Sequence, residues 1–355
     1  MDSITISSLF ALTAVCISSH TITMHLKHYT QPRYQLYICR ILMIVPLYAI
    51  QAWLSLIFVE YAPFFSALRD VYEGYVIYMF FTLLIAYLGG EDCLIDYLEL
   101  KSHMAHPGSL RRCCSRITLG RKFLRRIKQG TLQFVLVRPT TALLALVLNM
   151  FGMYDEENWG FDSGYIYLTL INNISVTVSL YSLVLFYKAT ELRLSSFRPL
   201  PKFLSIKAIV FFSYWQGLIL SILVHEGFIS DDDPMPQHSE GAAAALKRSM
   251  GLSATTKATQ AQDMLICIEI VFAALVLSHA FSYQDFTDDD RARRPLMASL
   301  AEVLDPQDLA HDAHSTFILP QGQRSLGPRN VEMQTKKGRG MRSGKKLYDA
   351  HVREY

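Results

Sequence analysis

Seven stretches of about 20 mainly apolar residues constrain this chain more than any other feature, because that is the length of helix a bilayer core requires. They fall at about 4–24, 38–59, 71–89, 131–153, 164–187, 203–225 and 262–283. A water-soluble fold has no use for seven runs of that length. The composition agrees: 51% of residues are hydrophobic and only 18% are charged. These averages are themselves lowered by a polar C-terminal region. The expectation is an all-α polytopic membrane protein with seven transmembrane helices in residues 1–285, a membrane-proximal amphipathic segment over 286–317, and a disordered basic cytoplasmic tail over 318–355. The first run follows Asp2, has no basic region before it and no clear cleavage site after it, so a retained helix is expected rather than a signal peptide.

The formal net charge is only +3, but its distribution is ordered. Basic residues concentrate in alternate links: Lys27 and Arg33 after the first run, nine Lys and Arg between 90 and 130, and Lys188, Arg193, Arg198 and Lys202 between the fifth and sixth runs. The links between these are acidic, with Glu60, Asp70 and Glu73, then Asp155, Glu156, Glu157 and Asp162, then Asp231, Asp232 and Asp233. The alternation is weakest in the last, which also holds Lys247, Arg248 and Lys257. Since cytoplasmic loops carry the excess of Lys and Arg, the N-terminus is expected outside or in the lumen and the C-terminus in the cytoplasm. That topology puts most of the six cysteines in the spans or on the reducing side, so no disulfide framework is expected.

Polar residues inside the runs are the candidate functional groups, because an embedded charge faces protein, water or a ligand. Arg40, Arg138 and Lys207 lie on three different runs, each within a turn or two of the inner face, and Asn172, Asn173, Gln216 and Glu269 lie deeper. Converging, the three cations could hold an anionic head group while aromatic spans accept an apolar body. Pro46 is expected to kink the second run, and Pro199 and Pro201 to end any helix crossing the 188–202 link. His25 and His28 fall in the first link, where solvated side chains are expected. The segment Glu91–Leu100 reads as an amphipathic helix on the membrane surface. Cys113 and Cys114, beside Arg111 and Arg112, are candidate lipidation sites. Cys93, His103, His106, Cys113 and Cys114 match no standard zinc spacing, so neither a metal nor another cofactor is expected. Leu296, Leu300, Val303, Leu304 and Leu309 suggest short amphipathic helices lying on the bilayer or the helical bundle, interrupted at Pro306.

Four segments carry a family pattern in order: YLGGEDCLIDYLE (87–99), QFVLVRPTTA (133–142), INNISVTVSLYSLVLFYKATELRLSSFRPLPKFLSIKAIVFFSYWQG (171–217) and LDPQDLAHDA (304–313). In this combination, spread over residues 10–318, the chain resembles the family that joins the organic solute transporter alpha subunit and the transmembrane protein 184 proteins. The resemblance is closer to the transmembrane protein 184 and plant or protist branch, and the alpha subunit's long cysteine run is reduced here to Cys113-Cys114. The resemblance implies carriage of amphipathic organic solutes, such as steroid-like or other organic anions, by facilitated diffusion. It also implies partners: membrane lipids, the solutes, and a second copy or a small single-span subunit.

Other classes find no support. The chain has no Walker A loop, no His-Glu-x-x-His and no Gly-x-Ser-x-Gly, so an enzyme or ATP-driven pump is not expected. The loop-borne basic charge is explained by topology and does not call for nucleic acid. The third and seventh runs lack the Asp/Glu-Arg-Tyr and Asn-Pro-x-x-Tyr endings of G-protein-coupled receptors. The competing expectation is a non-transporting multi-pass protein of trafficking or signalling, at the plasma membrane or an endomembrane, using its basic loop and tail as partner surfaces.

Overall fold

The computed structural model describes residues 3–101, 103–106, 117–151, 153, 164–225, 254–287, 295–305, 307 and 316. It is built of helices: α1 (Ser3–Lys27), α2 (Pro32–Leu42), α3 (Ile44–Ile57), α4 (Ala62–Tyr87), α5 (Glu91–Lys101), α6 (Arg121–Met150), α7 (Gly164–Leu194), α8 (Pro199–His225), α9 (Ala254–Ala280) and α10 (Leu296–Leu304). A two-stranded antiparallel ladder pairs His103 with Thr118 and Met104 with Ile117. Among the described residues, five helical segments are long and apolar enough to cross a membrane, or six if the bent pair α4–α5 counts as one span. This is an integral multi-pass membrane protein. The apolar runs at 203–225 and 262–283 are covered by the 27-residue helices α8 and α9. Cys113, Cys114 and the 318–355 tail lie outside the described residues. Met1–Leu304 forms one compact unit; of a second, Asp305–Tyr355, residues 305, 307 and 316 are described, and the Gln307 N–H donates to Asp305 Oδ1 (3.0 Å).

Proline and glycine set the breaks. Pro46 has no N–H for the Leu42 carbonyl, and the second apolar run divides there into α2 and α3 at Met43. Between α7 and α8, a short 3-10 turn (Ser195–Phe197) leads to Arg198 at φ 45°, a left-handed residue, and α8 then starts on Pro199, whose fixed φ suits a first helical position. Gly89 and Gly90, at φ 91° and 96°, end α4 in a conformation that L side chains rarely adopt. The chain turns 74° there into α5. α5 buries Leu94, Ile95 and Leu98, and is tied down by Lys128 to Glu91, by Lys101 Nζ donating to Ala189 O (3.1 Å), and by the Arg193 guanidinium over the Tyr97 ring.

One correction concerns the first link. α1 continues to Lys27, so His25 is a helical residue; it is fully buried, with Nε2 3.0 Å from Phe281 O beyond α9. Gln35 closes the tight turn from both sides. Its Nε2 donates to His25 O (3.1 Å) and His28 O (2.6 Å), while its Oε1 accepts from the Gln31 N–H (2.8 Å). Orphan carbonyls at the end of α1 and an orphan N–H at the start of α2 thus share one side chain.

Helix pairs are joined by small and polar residues, as bilayer packing favours. Between α6 and α7, a Cβ on Gly130 would sit 2.2 Å from Ser182 Oγ and 3.2 Å from its Cβ. One turn on, Gln133 Nε2 donates to Ser175 O (2.7 Å) and Ser175 Oγ donates to Gln133 Oε1 (2.7 Å); further along, Thr141 Oγ1 donates to Asn172 Oδ1 (2.8 Å).

α10 lies on the helical bundle. Val303 joins a core of Leu26, Tyr29, Leu36 and Cys39. Beneath it Arg40, 1% exposed, donates from Nε to Val303 O (2.9 Å) and from Nη2 to Glu302 O (3.3 Å). A cation at the last carbonyls of a helix is placed favourably against its dipole.

Two outcomes follow. Gly130→Val should force α6 from α7 and lower stability by about 1–3 kcal/mol, read as a reduced melting temperature in detergent. Arg40→Ala should release α10, seen as faster amide hydrogen exchange at residues 300–304, and Arg40→Lys should restore only part of the protection because an ammonium lacks the planar fork of donors.

Candidate functional site

The dominant polar feature is a half-buried charged centre fed by α3, α4, α6, α8 and α9, and its position is set by α4. That helix begins at Ala62 with Pro63 in its first turn, so Arg69, Asp70 and Glu73 are helical residues and not part of an acidic link. Asp70 and Glu73, three apart, share a face. The next residue, Gly74, lets α6 come close: a Cβ there would meet Phe134 O and Val135 Cα at 3.5 Å and Arg138 Cβ at 3.6 Å. Gly74 and α6 thus pack at close quarters, with Arg138 beside the acidic face. Pro139 interrupts the α6 hydrogen-bond ladder beside it; Thr140 Oγ1 donates back to Leu136 O (2.7 Å), and Thr141 Oγ1, whose proton goes to Asn172 Oδ1, lies 3.0 Å from both Val137 O and Arg138 O.

Arg138 Nη2 lies 3.1 Å from Asp70 Oδ2 and 4.0 Å from Glu73 Oε2. Arg69 Nε is 3.6 Å from Asp70 Oδ1, and its guanidinium lies 5.6 Å from the centre of the Tyr48 ring. The Tyr48 hydroxyl donates to Glu73 Oε1. Lys207 of α8 stands within electrostatic reach of Glu73 and Arg138, and Asp263 of α9, 5% exposed, within reach of Arg69. Three cations and three carboxylates thus meet among apolar helices. The balance of sign is what lets them stay there, since an unpaired ion in low dielectric is very costly. Arg138 Nε and Arg69 Nε have no hydrogen-bond partner among the described residues, so the arginines keep donors in hand.

The seven sequence-predicted residues divide. Arg138 and Lys207 share the centre, whereas Arg40 is turned to the carbonyls of α10. Asn172 is bonded to Thr141 between helices, and Asn173 faces outward, donating from Nδ2 to Thr169 O (2.8 Å). Gln216 and Glu269 pair with each other, Gln216 Nε2 donating to Glu269 Oε1 between α8 and α9. Arg69, Asp70, Glu73, Tyr48 and Asp263 belong to the centre but were not among the candidates. The signal for the first three was the proline start at Pro63 followed by an unbroken helical period to Tyr87; counting the acids as link charge concealed it.

A family model described as organic solute transporter Ostalpha matches residues 3–286, most of the chain and all of the helices that form the centre. The chain belongs to that family. No solved structure matches it. Membership in the Ostalpha family places the charged centre inside a transport protein and directs attention to its cations.

Arg138→Leu should destabilise the protein by about 3–5 kcal/mol, because Asp70 and Glu73 lose their shared partner while remaining buried. Adding Glu73→Gln, which restores equal numbers of cations and carboxylates and leaves Asp70 paired with Arg69, should recover part of that loss. Unfolding in mixed micelles measures both.

Proposed function

We propose that this Ostalpha-family protein carries amphipathic organic anions across a plasma or internal membrane by facilitated diffusion. It does so through seven crossing helices, with the N-terminus outside or in the lumen and the C-terminus in the cytoplasm. The observation that carries this reading is the charged centre, where Arg138 is paired with Asp70 and Glu73 and Lys207, from another helix, stands within electrostatic reach of Glu73. An arriving carboxylate or sulfate can take the place of Asp70 or Glu73 beside Arg138, so the guanidinium exchanges one anion for another and is not stripped of both. Lys207 adds a second cation. Tyr48 and Arg69 hold the displaced acids, Tyr48 by its bond to Glu73 and Arg69 by its ion pair with Asp70. Exchange of partners lowers the barrier to bringing an anion into low dielectric without binding it so tightly that it cannot leave. Such a cycle needs no bound nucleotide; the solute gradient drives it.

The test is flux of a labelled amphipathic anion in liposomes containing the purified protein, with an uncharged analogue beside it. Arg138→Lys, which keeps the charge but loses the two-pronged donor geometry, and Lys207→Ala should each cut anion flux about tenfold while changing flux of the neutral analogue far less. Undiminished anion flux in both variants would overturn the assignment.

A further inference from the structure

A second site lies on the other flank of α8. Positions 205, 208, 212 and 216 recur at helical spacing on one face, and Lys207 falls on the opposite one. The first face and α9 enclose a cavity of about 290 Å³, walled by Phe212, Ile266, Ile270, Phe272 and Val276. Phe212, Phe272 and Val276 are 54%, 65% and 50% exposed, so the cavity opens outward, toward lipid, and is distinct from the charged centre.

Its polar equipment is of one kind. Glu269 lines the wall and already takes one hydrogen bond, from Gln216 Nε2. Gln216 Oε1 is buried and has no hydrogen-bond partner among the described residues. Reversing the amide would set its oxygen against the carboxylate, so the orientation is fixed. The Ser205 hydroxyl, the other polar group on the wall, is spent on Pro201 O (2.8 Å). What the wall offers a ligand is an acceptor, the second Glu269 oxygen; Gln216 stands behind the wall and holds the first. A buried acceptor without a donor costs free energy, and an anionic ligand would add repulsion.

We infer that the α8–α9 seam binds an uncharged, membrane-dissolved alcohol, whose apolar body fills the cavity and whose hydroxyl donates to Glu269. This site stands whether or not the charged centre carries anions, because it shares no residue with it.

The experiment uses the full chain in lipid nanodiscs and three photoreactive C12 probes that differ only at the head: an alcohol, its methyl ether and the corresponding carboxylic acid. Labelled peptides are found by mass spectrometry. The alcohol should label residues 205–216 and 266–276 about tenfold more than either the ether or the acid, as expected for a donor offered to a charged acceptor. Glu269→Leu should bring alcohol labelling down to the ether's level with ether labelling unchanged, and the unchanged ether signal reports that the cavity is still folded. Glu269→Gln, which keeps a carbonyl acceptor, should retain an intermediate preference. Equal labelling by alcohol and ether in the unaltered protein, stronger labelling by the acid, or an alcohol preference that survives Glu269→Leu would each overturn the site.

Discussion

A charge inside a bilayer must be answered within the protein, and the pairing of Arg138 with Asp70 and Glu73 is the answer on which the middle of this molecule depends. It fixes the rotation of α4 and α6, because only one face of each helix carries these groups. It also depends on the close packing of α6 on α4 beside Gly74, since a guanidinium held further away would leave Asp70 and Glu73 without their shared partner. Tyr48, Arg69, Lys207 and Asp263 then join from α3, α4, α8 and α9. A purely apolar contact between these helices would tolerate rotation and sliding. The ionic one does not.

The same logic separates structural from functional cations. Arg40, like Arg138, is a cation within an apolar run, yet its donors go to backbone carbonyls at the end of α10, and its task is to hold that helix. Arg138 keeps company with side-chain carboxylates that a solute's own anion can imitate. An arginine whose partners are exchangeable suits transport; one whose partners are main-chain atoms suits architecture.

Much of the fold was legible in the sequence because apolar length and helix breakers speak locally. Pro46, Gly89–Gly90 and the Arg198–Pro199 step each mark a boundary that the structure keeps. Charge counting was less reliable near helix ends. It took Asp70 and Glu73 for link residues, although their ionisable groups are buried by neighbours far away in sequence, and it took His25 for a solvated side chain when Phe281, 256 residues on, supplies its partner. Periodicity states which face a residue occupies on its own helix, but not what that face meets. Hence Arg138 and Lys207 were recognisable as embedded cations, while their acidic partners and the diversion of Arg40 to α10 were not.

The turn closed by Gln35 has a consequence for the order in which this chain can be assembled. Its amide joins the end of α1 to the start of α2 using only residues between His25 and Gln35. The bonds that satisfy this corner are therefore all present once the first hairpin has been synthesised, before α9 exists. The hairpin can enter the bilayer with its reversal already sealed, and later helices inherit a settled first corner against which Phe281 and Phe286 arrive as lodgers at His25 and Thr30.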